Sequence, residues 1–159
     1  MNGGDFADLL RGEAIILDLA APDKAQMLAM LAEHAAPIAG IAPTMILERV
    51  LEREALGSTG FGQGAAIPHA RLAGPDRVTL VVARLATPIA YGALDGEPVD
   101  LVVLLLSPEG AGADHLKALA RISRALRNPR ILAAMRSVET PAAMLNAIDA
   151  SPMNDARAA

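Results

Sequence analysis

At 159 residues, with a formal charge of -4 and with 53% hydrophobic but only 2% aromatic residues, the chain is long enough for one domain whose core is built from Leu, Ile, Val, Ala and Met. The acidic balance argues against contact with nucleic acid or anionic membrane, the scarcity of aromatics argues against base stacking, and no apolar run reaches the length of a membrane span. Cysteine is absent, which excludes disulfides, thiolate metal ligands and cysteine nucleophiles; with no secretory leader in view, a cytoplasmic protein is expected.

In chain order, the pattern predicts a short helix over residues 5–10 and a first strand over Ala14 to Leu19. Pro22-Asp23 signals a helix start, and Met27, Leu28, Leu31 and Ala35 fall at helical spacing before Pro37 and Gly40 end the run. Pro43-Thr44 opens a second helix, with Ile46, Leu47, Val50, Leu51 and Leu56 as its apolar stripe and Gly57 as its stop. Beyond a glycine loop, Ala65 to Ile67 reads as a short buried strand delivering His69 to its end. Gly74-Pro75-Asp76 then makes a turn. Val78 to Ala83 and Val99 to Leu106 are nearly continuous apolar strands of the kind buried on both faces, joined by an irregular connection over Thr87 to Gly96. Asp114 caps a helix to about Arg127, with Leu116, Leu119, Ala120, Ser123 and Leu126 on its apolar side. Helices from Pro129 and from Thr140-Pro141 follow. Two-sided apolar strands between amphipathic helices imply an α/β fold, one sheet with helices on both faces; the short strands near His69 leave room for a mixed sheet. One domain over residues 5–150 is expected, with residues 151–159 as a disordered tail.

The chemistry concentrates between Arg53 and Arg71. Gly57, Gly60, Gly62 and Gly64 surround Ser58 and Thr59, and the run ends at His69, directly after Pro68. The loop lacks the Gly-Lys-Ser/Thr ending of a Walker motif and the dinucleotide glycine spacing, so a nucleotide cofactor is not expected. Two readings fit it: a tight helix-to-strand turn, or a loop that admits a ligand close to the backbone. His69 reads as a structural imidazole or as a nucleophile, since neutral imidazole carries a lone pair near pH 7. His115 stands at the start of a helix after a strand, where open α/β sheets bind ligands, or is an exposed first-turn residue. Arg53 is a forked donor for an anion or a cation at a helix end. His69, His115 and Asp114 lack the close spacing of a metal motif, so no metal is expected. Lys117, Arg121 and Arg124 make a basic flank on the His115 helix.

The block Arg53-Glu-x-Leu-Gly-Ser-Thr-Gly-Phe-Gly-x-Gly-x-Ala-Ile-Pro-His69 resembles the active-site signature of the EIIA components of the bacterial sugar phosphotransferase system, in the fructose, mannitol and nitrogen-related class. Thr87-Pro88-Ile89-Ala90, Pro98-Val99-Asp100-Leu101 and His115-Leu116-x-x-Leu119-x-x-Ile122 are similar to later blocks of that family in the same order. The resemblance implies a phosphoryl carrier in which His69 accepts the group on Nε2 from an HPr-like phosphocarrier, His115 hydrogen-bonds the phosphate, and Arg53 orients the site. Ser58 or Thr59 would add hydroxyl donors, and Gly60, Gly62 and Gly64 would allow close backbone approach. With no sugar channel or EIIB domain recognisable in the chain, the nitrogen-regulatory type is favoured, acting on a regulatory target protein. The alternative is a free-standing fructose- or mannitol-type EIIA passing phosphate to an EIIB domain. Gln63 stands where asparagine is common in the family, and Ala70-Arg71 replaces the frequent Gly-Lys or Ala-Lys.

Overall fold

The computed structural model describes residue 10, residues 14–75 and residues 77–149. Its centre is the pair of strands with the longest apolar runs, β5 (Thr79–Ile89) and β6 (Val99–Pro108), which lie antiparallel with Leu80 opposite Leu105 and Val82 opposite Val103. Before them in the chain come β1 (Ile15–Leu19), helices α1 (Lys24–Ala39) and α2 (Pro43–Ala55), and the short strands β2 (Gly60–Gly62), β3 (Ala65–Ala66) and β4 (His69–Leu72). A 3-10 turn over Glu109–Ala111 leads from β6 into α3 (Gly112–Leu126), followed by α4 (Pro129–Ser137) and α5 (Pro141–Asp149).

The sheet is mixed. β1 joins β5 in parallel, β3 and β4 join β6 in parallel, and β2 pairs antiparallel with β3. Strand periodicity divides the core in two. Leu80, Val82, Leu101, Val103 and Leu105 pack with Ile122, Leu126 and Leu132 on one face. Val81, Ala83, Val102, Leu104 and Leu106 pack with Met27, Leu31, Ile46 and Val50 on the other. The expected fold class, a single mixed-sheet α/β domain with helices on both faces, is the one observed.

Several boundaries differ from the sequence reading. Asp23 caps α1 as expected, accepting from the Gln26 N–H at 2.8 Å, but the helix runs through Pro37 to a left-handed Gly40. β5 continues past Ala83 to Ile89, so the first part of the expected irregular connection is strand. Pro88 is tolerated because the register shifts between Arg84 and Ile89. Arg84 is tolerated because its guanidinium donates to the Met135 and Val138 carbonyls at the end of α4. α3 begins at Gly112 with no side-chain cap, so Asp114 lies within its first turn. The helix buries His115, Ala118, Ile122, Ala125 and Leu126, so that of the expected face Leu126 is buried, Leu119 packs partly against the core, and Leu116 stands 60% exposed. The expected helix over residues 5–10 falls outside the described residues except for Leu10, as do Asp76 of the expected turn and the tail at 151–159. Among the described residues, no helix is long and apolar enough to cross a membrane.

Candidate active site

β3 and β4 keep one register along β6, Ala66 opposite Val102 and His69 opposite Leu105, with Ile67-Pro68 between them. Pro68 has no N–H to donate, yet its carbonyl accepts from the Leu105 N–H at 3.0 Å, so the ladder carries straight across the interruption. His69 therefore opens β4, whereas the sequence reading placed it at the end of a strand. Its Nδ1 lies 2.8 Å from the Ile67 carbonyl oxygen. A carbonyl can only accept, so Nδ1 carries the proton and Nε2 holds the lone pair in the neutral ring. Burial pushes His69 below its ordinary pKa; the Ile67 carbonyl opposes this and the nearby Arg53 charge adds to it.

His115 is brought to His69 by β6 and α3, with ring centroids 5.5 Å apart and planes at 51°. It is only 4% exposed, which removes the reading of an exposed first-turn residue. Its Nδ1 shares a 2.7 Å hydrogen bond with the hydroxyl of fully buried Ser107. Burial, then the charge of Arg71 and the neighbouring His69, push the pKa of His115 down to about 4, so both rings are neutral at pH 7. Ser107 was missed in the sequence, where Ser107-Pro108 reads only as the stop of a strand. The available signal was its phase: it follows Leu101, Val103 and Leu105 at intervals of two, a polar residue on the face that packs against α3.

The two histidines line a cleft of about 360 Å³ together with Arg49, Glu52, Arg53, Leu56, Ala70 and Arg71. Three guanidiniums against one carboxylate around two neutral imidazoles make this an anion-binding environment. The Arg53 Nη1 donates to the Gly57 carbonyl at 2.9 Å, which fixes the side chain across the end of α2. Leu56, expected in the apolar stripe, instead stands 84% exposed at the cleft's edge.

None of Ser58, Thr59, Gly60, Gly62 or Gly64 is among the residues lining the cleft. The Ser58 hydroxyl accepts from the Gly60 N–H at 3.1 Å. Thr59 is bound to the Glu54 carboxylate and lies 3.0 Å from the Tyr91 hydroxyl. That carboxylate also pairs with Lys24 at 2.8 Å and accepts from Tyr91 at 3.1 Å. Burial opposes ionisation of Glu54, but the hydrogen bonds of Lys24 and Thr59 outweigh it and hold the carboxyl below its usual value. The glycines admit the protein's own atoms rather than open space. A Cβ on Gly60 would stand 2.9 Å from Tyr91 Cδ1, and one on Gly64 would overlap Arg136 Nη2. Between Gly62 and Gly64 the chain turns with Gln63 at φ 59°, a left-handed position that asparagine adopts more readily, which gives a physical reason for the residue common in the resembling family. Arg136 clamps this turn, donating to the Gln63 carbonyl at 2.6 Å and pairing with Asp100 at 2.9 Å. Among the described residues, no group of three or more His, Asp or Glu side chains is placed to hold a metal ion.

Residues 8–151 match the family described as "Phosphoenolpyruvate-dependent sugar phosphotransferase system, EIIA 2". A nitrogen regulatory protein of Bradyrhizobium diazoefficiens is 44% identical over 147 residues, covering 92% of this chain and 96% of its own. The crystal structure of nitrogen regulatory protein IIA-Ntr from Neisseria meningitidis superposes with a TM-score of 0.86 at 29% identity, over 90% of this chain and 98% of that one. Enzyme IIA mannitol of Escherichia coli, solved in complex with phosphorylated enzyme IIB mannitol, shares the fold at a TM-score of 0.74 and 17% identity, over 88% and 96% of the two chains.

Proposed function

The chain belongs to the EIIA 2 family of the phosphoenolpyruvate-dependent sugar phosphotransferase system, and we propose that within it the protein is a cytoplasmic phosphohistidine carrier of the nitrogen-regulatory type. His69 takes a phosphoryl group from the phosphohistidine of an HPr-like carrier, and the phosphorylation state then governs binding to a regulatory target protein. The 44% identity to a nitrogen regulatory protein supports this type over a sugar-uptake EIIA. The observation that carries the reading is the tautomer of His69. Its Nδ1–H is committed to the Ile67 carbonyl, so the lone pair on Nε2 is available in a cleft that it shares with three guanidiniums.

In the transfer, the Nε2 lone pair attacks phosphorus, the donor's N–P bond breaks, and its electron pair returns to the carrier's imidazole. As the His69 ring gains positive character, the Ile67 carbonyl stabilises the Nδ1–H that faces it. With the Ser107 hydroxyl donating to His115 Nδ1, the His115 Nε2–H donates to a phosphoryl oxygen. Arg53 adds positive charge at the end of α2, and the glycine loop serves through Thr59 and Glu54 to fix that end, not as a direct ligand. Leu56 forms an apolar lip against which a protein carrier can dock.

The test is intact-mass analysis after incubation with phosphoenolpyruvate, Enzyme I and an HPr-like carrier. Wild type gains one acid-labile phosphoryl mass and His69→Ala gains none. Labelling of His69→Ala to the same extent would overturn the assignment.

A further inference from the structure

Of the three arginines lining the cleft, Arg49 is the one whose guanidinium lies against carboxylates among the described residues. Its Nη1 is 3.5 Å from Glu109 Oε2 and its Nε is 3.4 Å from Glu52 Oε1. The two carboxylates differ in what they tie together. Glu52 is three residues along the same helix, so that contact only settles the rotamer. Glu109 belongs to the 3-10 turn that leads into α3, the helix carrying His115. The Arg49–Glu109 pair therefore joins the α2 wall of the cleft to the wall that holds the second histidine. Both partners are substantially exposed, 41% and 53%, and both contacts are longer than a well-made ionic hydrogen bond. Such a pair is weak and exchanges readily for a stronger anion.

We propose that Arg49 is a second anion-binding arginine of this cleft, held by Glu109 until a phosphoryl group arrives and then exchanging that carboxylate for phosphoryl oxygens. This rests on the reading of His69 as the acceptor. A phosphorylated imidazole brings a dianion with several acceptor oxygens, a better match for a forked guanidinium than one carboxylate at 3.5 Å. The exchange releases Glu109 at the mouth of α3. Phosphorylation is thereby converted into a change of contact between two walls of the cleft, on the surface a partner would meet.

The test uses inorganic phosphate as the probe and the unphosphorylated protein, so it runs independently of whether His69 is labelled. Phosphate is titrated while the His69 and His115 ring signals are followed by NMR, in wild type, Arg49→Gln, Arg49→Lys and Glu109→Gln. Arg49→Gln is expected to weaken binding about tenfold, the loss of a hydrogen bond from a charged donor. Arg49→Lys restores part of it, because the charge remains without the fork. Glu109→Gln tightens binding about two- to fivefold by removing the competitor. The opposite signs separate the proposal from a merely structural bridge, whose loss by either partner would act in one direction. Equal phosphate affinity in wild type and Arg49→Gln, parallel weakening in Arg49→Gln and Glu109→Gln, or no binding by wild type would each overturn it. Failure to label His69 in the mass experiment would instead overturn the acceptor assignment.

Discussion

Removing the Ser107 hydroxyl tests whether His115 is positioned or merely present. In Ser107→Ala the His115 Nδ1 loses its partner at 2.7 Å while its ring stays in a place only 4% exposed. Leaving one buried polar atom unsatisfied costs about 1–3 kcal/mol. A domain of this size has a total stability of about 5–15 kcal/mol, so the variant still folds. In urea, with a slope of about 2 kcal/mol per molar, a loss of about 2 kcal/mol lowers the unfolding midpoint by about 1 M at unchanged slope. The functional readout is separate from stability. Nitrogen-resolved NMR of the imidazoles should show one fixed His115 tautomer in wild type and a mixture in Ser107→Ala, with His69 unchanged because its own anchor is the Ile67 carbonyl. Transfer from the carrier then slows by about tenfold, the scale expected for losing orientation of one phosphate donor. An unfolding midpoint within about 0.2 M of wild type, together with unchanged His115 ring shifts, would refute the reasoning.

Gly64→Ala should destabilise by about 2 kcal/mol or more, because the residue sits at φ 81° and the new methyl would overlap Arg136 Nη2 and stand 2.9 Å from Asp100 Oδ1; urea unfolding checks this, and mass labelling of the folded protein should be preserved. Between pH 6.5 and about 4, the unfolded chain protonates at His115 while the folded one does not, so stability is expected to fall with pH across that window. In His115→Asn that part of the slope should shrink, which thermal unfolding at a series of pH values would show. Acid removes the contribution of the Glu54 carboxyl as well, at lower pH: its folded pKa is lowered, so its contribution is present above the ordinary value of 4.5 and is lost as pH falls through the folded value. Glu54→Gln should destabilise by about 2 kcal/mol at pH 7 by removing the charged partner of Lys24, which keeps its bond to the Tyr91 carbonyl, and should lose less than wild type on acidification; an unchanged midpoint at pH 7 would mean that Glu54 does not anchor Thr59 and the loop.

The parts of the fold that were legible in the sequence depend on short range. Asp23 marks the start of α1, and Leu80 to Ala83 and Leu101 to Leu106 are buried on both faces, so their apolar runs alone imply a sheet covered twice. The position of His69 as a candidate site residue was legible through its flanking proline and glycines. What those flanks could not convey is the direction in which each group points. Thr59 and Ser58 have hydroxyls suited to an anion, yet Glu54, five residues before Thr59, and Tyr91, thirty-two residues after it, converge on the threonine. That convergence depends on α2 meeting the chain beyond β5, a long-range fact absent from any local window.

The same limit explains the misplaced Leu116 of α3. The three leucines of α3, Leu116, Leu119 and Leu126, suggest one shared buried stripe, of which the structure buries Leu126 fully and Leu119 in part. The structure turns His115 inward, where Ser107 meets its ring, and leaves Leu116 exposed. A buried imidazole must be given a hydrogen-bond partner, and a buried hydroxyl likewise, so each residue makes the other's burial tolerable. A preference of that kind runs against the local hydrophobic pattern, and it persists here at the point where the second imidazole is brought within 5.5 Å of the first. Local propensity is overridden at the site and nowhere else along α3: Ala118, Ile122 and Ala125 follow the phase that His115 sets. The exposed Leu116 is then the consequence of that phase, and with Leu56 it leaves apolar side chains uncovered on the two helices, α2's end and α3's beginning, that contribute Arg53 and His115.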